Sequence, residues 1–266
     1  MSSPWTDVAV VVVTFAVGVG AGVLSALLGI GGAVVTTPAI RLLGATPIEA
    51  VGSTVPAILP GAISGSIRYA REGMVDWPLA LGLGVPGAAF ALTGAWVSSL
   101  VDGRWLMVLT AVLMLWSGWS VVRGSDGRAV GDGEATESAP NHTPPWWQLG
   151  GVGALSGFVA GLLGVGGGIV MVPAMVGPLR VPMKRAVASS LVAVAIFSVP
   201  ALVAHIALGH VDWRFALPLM AGVVPGAQLG AHMTIGASER SVRRWFGALV
   251  ITVACIYGGT ELAAFW

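Results

Sequence analysis

Apolar residues run along this chain in long stretches separated by short polar turns. Five stretches come first, at 8–30, 33–43, 50–67, 78–101 and 105–122. Five more follow at 146–165, 169–179, 186–207, 215–235 and 245–265. Most reach the ~20 residues that an α-helix needs to cross the hydrocarbon core of a bilayer. The pattern predicts helices that are apolar around most of their circumference, as membrane spans are. The stretches 33–43 and 169–179 are too short to cross. Each directly follows a cluster of glycines.

The two series match in sequence. Leu27-Leu28-Gly29 pairs with Leu162-Leu163-Gly164, Gly31-Gly32 with Gly166-Gly167, and Pro38 with Pro173. After a one-residue gap, Ser53-Thr54 pairs with Ser189-Ser190. Gly73-Met74-Val75-Asp76-Trp77 pairs with Gly209-His210-Val211-Asp212-Trp213, and Val85-Pro86-Gly87-Ala88 with Val224-Pro225-Gly226-Ala227. Blocks that recur in the same order mark an internal duplication. The expected fold is therefore an all-α polytopic membrane protein of two homologous four-segment repeats, each with a glycine-broken first segment. The N-terminal transmembrane repeat is placed at 1–122 and the C-terminal one at 146–266. Residues 123–145 between them are rich in Gly, Pro, Ser and charge, the composition of an aqueous linker.

Composition sharpens this picture. The 266 residues are 56% hydrophobic and only 9% charged, with a mean hydropathy of +0.88. Too little charge is available to cover a water-facing surface, so lipid must be the solvent. The net charge of +1 gives no electrostatic footprint for nucleic acid. Cys255 is the only cysteine, which excludes an intrachain disulfide and a cysteine-based metal site. No cofactor or metal is implied. The N-terminus lacks the basic region of a cleavable signal and is expected to be a retained helix.

Glycines inside an apolar helix call for a reason, because each costs about 1 kcal/mol relative to alanine. Close packing of helices through small residues is one reason. It suits scattered glycines such as Gly18, Gly20 and Gly22. Gly31-Gly32 and Gly166-Gly167-Gly168 instead divide a long run at matching places, and paired broken helices point to a transporter's binding site. A half-helix that starts there offers free N–H groups and a positive dipole end to an anion. The candidate substrate-binding set is Gly31, Gly32, Ala33, Thr36, Ser53, Thr54, Gly166, Gly167, Gly168, Ser189 and Ser190. Each hydroxyl has an ordinary alternative, a bond to a carbonyl one turn back in its own helix. Asp76 and Asp212, each beside a tryptophan, read as caps at the membrane interface. His205 and His232 are the ionisable groups expected within the membrane, and His205 is the candidate proton relay.

Basic residues bear on topology. If each glycine-broken unit turns back on itself, only Arg41, Arg104 and Arg214 lie on one side, with the other ten Lys and Arg opposite. That asymmetry exceeds the one obtained if each unit crosses once. It leaves three crossings per half and favours inverted repeats, with the linker cytoplasmic and both termini outside.

The sequence resembles the sulfite exporter TauE/SafE family of membrane permeases. The resemblance rests on Gly164-Val165-Gly166-Gly167-Gly168 followed by Pro173, and on the copy Gly29-Ile30-Gly31-Gly32-Ala33 followed by Pro38. In the first copy Ala33 replaces the last glycine. The block Pro225-Gly226-Ala227-Gln228-Leu229-Gly230-Ala231 is a further match, and its Gln228 completes the candidate set. The resemblance implies a cell-membrane transporter of small sulfur-containing anions, such as sulfite or an organosulfonate, with export the expected direction. The expected partners are that anion, the lipid bilayer and, as an open option, a second copy of the chain. A passive anion channel would show rings of charge or a continuous polar pore. An intramembrane hydrolase would need a nucleophile beside a base, yet Ser189 and His205 lie about 24 Å apart along one helix. The chain is therefore not expected to be an enzyme.

Overall fold

The computed structural model describes residues 4–123 and 145–263 of the protein, and those residues form ten helices and no strand. In chain order they are α1 (Pro4–Leu28), α2 (Ala33–Leu42), α3 (Pro47–Arg71), α4 (Trp77–Ser98) and α5 (Gly103–Arg123). Then come α6 (Trp146–Leu163), α7 (Gly168–Val176), α8 (Met183–Ala207), α9 (Trp213–Gly236) and α10 (Glu239–Ala263). Six of them, α1, α3, α4, α5, α6 and α8, are long and apolar enough to cross a membrane. The protein is thus an all-helical, multi-pass membrane protein. Apolar side chains such as Val12, Phe90, Trp116 and Val203 stand exposed on its outside, where lipid rather than water is the fitting solvent. Apart from its two end residues, the hydrophilic stretch 123–145 lies outside the described residues, so its placement as a linker between two repeats stays a reading of the sequence.

Helix direction can be read from which residues touch. Along α1 and α9, Gly18 meets Leu219 and Gly22 meets Val223, and the Thr234 hydroxyl donates to the Leu27 carbonyl at 3.0 Å. The two helices therefore run the same way. α6 of the second half follows α4 of the first in the same manner, with Gly153 against Leu83, Gly157 against Gly87 and Gly161 against Ala91. These glycines let the helix backbones approach within contact of each other. α3 also runs with α9: Gly52 meets His210, Gly61 meets Val223, and Arg68 meets His232.

α3 and α8 cross in opposite directions. At one end the Tyr69 hydroxyl donates to the Ala26 carbonyl at 2.7 Å, and the Ser190 hydroxyl to the Gly29 carbonyl at 2.9 Å. At the other end the Thr54 hydroxyl donates to the Gly164 carbonyl at 3.1 Å, while His205 meets the Gly161 carbonyl at 2.9 Å. The start of each long helix therefore lies beside the turn of the other half. The arrangement is consistent with the duplication read in the sequence, and the halves face opposite ways.

α1 and α3 run in one direction, so α2 must run back. The turn between α1 and α2 shows this directly. Gly32, the residue that caps α2, sits against the Ala21 carbonyl and the Ser25 side chain, two to three turns down α1. Likewise Gly167, the cap of α7, sits against the Ser156 carbonyl of α6. Each unit is a hairpin that turns back inside the protein. The core follows these turns: Leu28, Ile30, Leu163, Val165 and Ile169 are all buried.

Candidate functional site

The glycine clusters build the turns because of their backbone angles. Gly29, Gly31 and Gly32 have φ of 73°, 83° and 75°, and Gly164, Gly166 and Gly167 have 63°, 80° and 65°. All six lie in the left-handed region that costs other residues about 1–2 kcal/mol each. Gly164 caps the end of α6 in this conformation, its N–H bonded to the Ala160 carbonyl. Gly32 and Gly167 then open α2 and α7 without any side-chain cap. The spacing of the motif is thus a spacing of backbone reversals.

The two turns meet. A Cβ on Gly31 would come within 3.1 Å of the Gly166 Cα, and the reverse holds equally. Gly168 abuts the Gly29 carbonyl. The structure brings Gly31, Gly32, Gly166, Gly167 and Gly168 into one closed junction between the halves. Among the described residues, the N–H groups of Gly32, Ala33 and Val34, and those of Gly167 and Ile169, have no backbone acceptor. These are the free donors of the two half-helices. The buried polar side chains among the described residues are serines, threonines and the two histidines His205 and His210. None of the described Asp, Glu, Lys or Arg residues is buried.

The four paired hydroxyls flank this junction and are occupied. Ser53 accepts from the Asp212 N–H at 2.8 Å, and Ser189 accepts from the Asp76 N–H at 3.0 Å. Thr54 donates to the carbonyls of Val51 and Gly164, and Ser190 to those of Val187 and Gly29. Thr54 and Ser190 thus each make the ordinary one-turn-back contact and a bond to the opposite half. The repeated hydroxyls tie each half to the other's turn. Thr36 reaches only its own Gly32 carbonyl, at 3.5 Å. Gln228 lies apart from the turns and donates to Ser64 on α3, through both its carbonyl and its hydroxyl at 2.9 Å.

Several residues here were not singled out from the sequence. Ser25 faces Gly32, and Ser156, whose carbonyl abuts Gly167, is fully buried with its hydroxyl oxygen unpartnered. Both are ordinary small residues in an apolar run, so only the turn's return path reveals them. His210, in the α8–α9 turn, is a second such case: its Nδ1 lies 3.1 Å from Nδ1 of His205. His205 uses its other ring nitrogen on the Gly161 carbonyl. A backbone carbonyl cannot pass a proton on, so the histidine chain ends there in this conformation. Burial holds His210 below the usual histidine range, favouring its neutral form. His232 is paired with Arg68 at 3.2 Å. Asp76 and Asp212 cap α4 and α9, accepting from the N–H groups of Leu79 and Arg214. Arg214 in turn holds the Asp212 carboxyl below its ordinary range.

Comparison with known proteins places this architecture. The family model for the sulfite exporter TauE/SafE matches residues 14–257, nearly the whole chain. The chain belongs to the sulfite exporter TauE/SafE family. It is similar to a probable membrane transporter protein of Xylella fastidiosa (strain 9a5c), at 31% identity over 91% of this chain and 93% of that one. A Bacillus subtilis protein, the probable membrane transporter YunE, is 27% identical over 93% of this chain and 98% of its own length. A probable membrane transporter protein of Methanocaldococcus jannaschii is 24% identical over 85% and 87%. No solved structure matches the chain. This TauE/SafE member is a membrane transporter and not an enzyme, and its setting is the cell membrane.

Proposed function

We propose that this TauE/SafE protein is a secondary transporter, working as an exporter, of a small sulfur-containing anion such as sulfite or an organosulfonate. The anion is held between the halves at the N-termini of α2 and α7. One observation carries this reading. Two helix N-termini with free N–H donors converge on a junction that contains no charged side chain. An anion there meets the positive dipole ends and free donors of α2 and α7, at a cost the protein has already met in folding. Opening the junction to one side at a time, by releasing one turn from the other, would expose the site alternately. Alternating exposure of a central site is the ordinary consequence of inverted halves.

Among the described residues no Asp, Glu, Lys or Arg is buried to carry a coupled proton. Any such proton travels on the substrate or through His205, and sulfite suits the first route because it protonates near neutral pH. The basic asymmetry supports a cytoplasmic position for the linker and for the loops 180–185 and 240–244. The test is a panel of sulfite, thiosulfate, sulfate, sulfoacetate, taurine and acetate, read by thermal shift and by flux in liposomes. Saturable flux and counter-transport confined to sulfite or the sulfonates are expected. Saturation by acetate alone would remove the sulfur assignment. Linear flux that shows no counter-transport would make the protein a channel.

A further inference from the structure

We propose that the seam between α3 and α8 is a binding site for one anionic phospholipid, its acyl chain in an apolar groove and its phosphate between Arg71 and Arg185. The groove encloses about 370 Å³ on the outer surface of the protein, within the range of small-molecule sites. Leu59, Ile63 and Ile67 line it from α3, and Val192 and Val199 from α8. Ile63, Ile67 and Val199 are each close to half exposed, so the groove is open to the membrane.

The helix registers place two arginines at one end of it. α3 and α8 are antiparallel, and Gly65 lies against Leu191. Arg71 and Arg185 each stand six residues beyond that contact, at the same end of the seam. Along α3, Arg71 continues the row of Ile63 and Ile67 at four-residue spacing. Along α8, Arg185 continues the row of Val192 and Val199 at seven-residue spacing. Both arginines are exposed, and among the described residues neither makes a hydrogen bond or ion pair. Arg68 nearby differs, being engaged with His232 and Glu72.

Trp77 also lines the groove at this end, as the first residue of α4. Its exposed indole stands where tryptophans mark the headgroup level. An apolar slot capped by an indole and by two guanidiniums that are unpaired among the described residues matches an acyl chain, an interfacial glycerol region and a phosphate, in that order. A zwitterionic lipid would bring its own cation to the arginines and fit less well. The site does not depend on which anion the protein carries.

The experiment is native mass spectrometry of the whole protein released from detergent, titrated with phosphatidylglycerol or with phosphatidylcholine of the same chains. One phosphatidylglycerol should be retained by the wild type in preference to phosphatidylcholine. Arg71→Gln with Arg185→Gln should weaken that retention about 30-fold, at roughly a factor of five per basic residue. Arg244→Gln, at an exposed arginine on α10, should leave it unchanged. Ala195→Trp, which fills the groove while keeping both arginines, should reduce retention of both lipids. Equal retention of the two lipids by the wild type would overturn the proposal. So would undiminished phosphatidylglycerol retention in the double variant, or in Ala195→Trp.

Discussion

The turns at residues 29–33 and 164–168 follow the same backbone path but have different walls. Gly32 faces the Ala21 carbonyl and the Ser25 side chain, whereas Gly167 faces the Ser156 carbonyl and the ring of Phe197. Phe197 occupies in the second half the place that Gly61 holds in the first, counting from Ser53 and Ser189. There Gly61 leaves room for Val223. The fifth position differs as well. Gly168 is pressed against the Gly29 carbonyl and the Ile30 Cα, while Ala33 is accommodated in full burial. The departure of the first copy from the glycine pattern is therefore a matter of packing at one wall. The feature common to both halves is the reversal of the backbone. The surroundings of the two reversals differ.

This comparison can be broken most severely at Gly167. Gly167→Leu would need a left-handed backbone and would drive a side chain into the Ser156 carbonyl and Phe197. Together these cost about 2–5 kcal/mol. Transport and substrate-induced thermal shift should both disappear. Gly20→Leu is the control, since nothing lies within 4 Å of its added Cβ. Substrate binding that survives Gly167→Leu would mean that the turn only packs helices.

A smaller effect sharpens the asymmetry at the fifth position. Gly168→Ala meets the Gly29 carbonyl and should lower stability by about 1–3 kcal/mol. Ala33→Gly should cost less, about 0.5–1 kcal/mol, through chain entropy alone. Thermal unfolding in detergent compares them, and equal losses would show that the two walls do not differ. The cross-half hydroxyls should behave symmetrically instead. Thr54→Val and Ser190→Ala each strand a buried carbonyl of the opposite turn and should each cost about 1–2 kcal/mol. Thr54→Ser should restore the first. A large loss in one and none in the other would separate the halves energetically.

The mildest expected effect is on pH. The folded protein holds His210 below its ordinary range, so the unfolded chain takes up its proton first as pH falls. The stability that His210 contributes is present above the unfolded value and is lost on acidification through the folded one. Melting temperature should therefore decline below about pH 6.5, and His210→Gln should flatten the decline. An unchanged slope in the variant would assign the acid sensitivity elsewhere, Asp212 with its Arg214 partner being the neighbouring candidate.

Much of this architecture was legible in the sequence because lipid leaves few choices. Long apolar runs had to be helices, and the doubled glycines had to break them. The candidate residues fared differently. Ser53, Thr54, Ser189 and Ser190 do gather around the glycine junction, yet each bonds the opposite half, a pairing between residues more than 100 positions apart that no local pattern displays. Gln228 sits on a matching motif but binds Ser64, away from the turns. Ser25, Ser156 and His210 carry no local sequence signal because their environment is made by the returning chain. Hydrophobic period and backbone chemistry are local and can be read. Which hydroxyl meets which carbonyl depends on how two halves interlock.

The two halves enter the bilayer from opposite sides, each with a hairpin that turns back at its glycines. Single cysteines tested for labelling by a membrane-impermeant thiol reagent in right-side-out vesicles address it directly. The background is Cys255→Ala, because Cys255 is exposed. The positions are Arg104→Cys, Lys184→Cys and a cysteine within the linker 123–145. Position 104 should be labelled, and both 184 and the linker should be protected. Labelling at 184 with a protected linker would contradict this arrangement, because α6 and α7 would then cross the membrane as one unit.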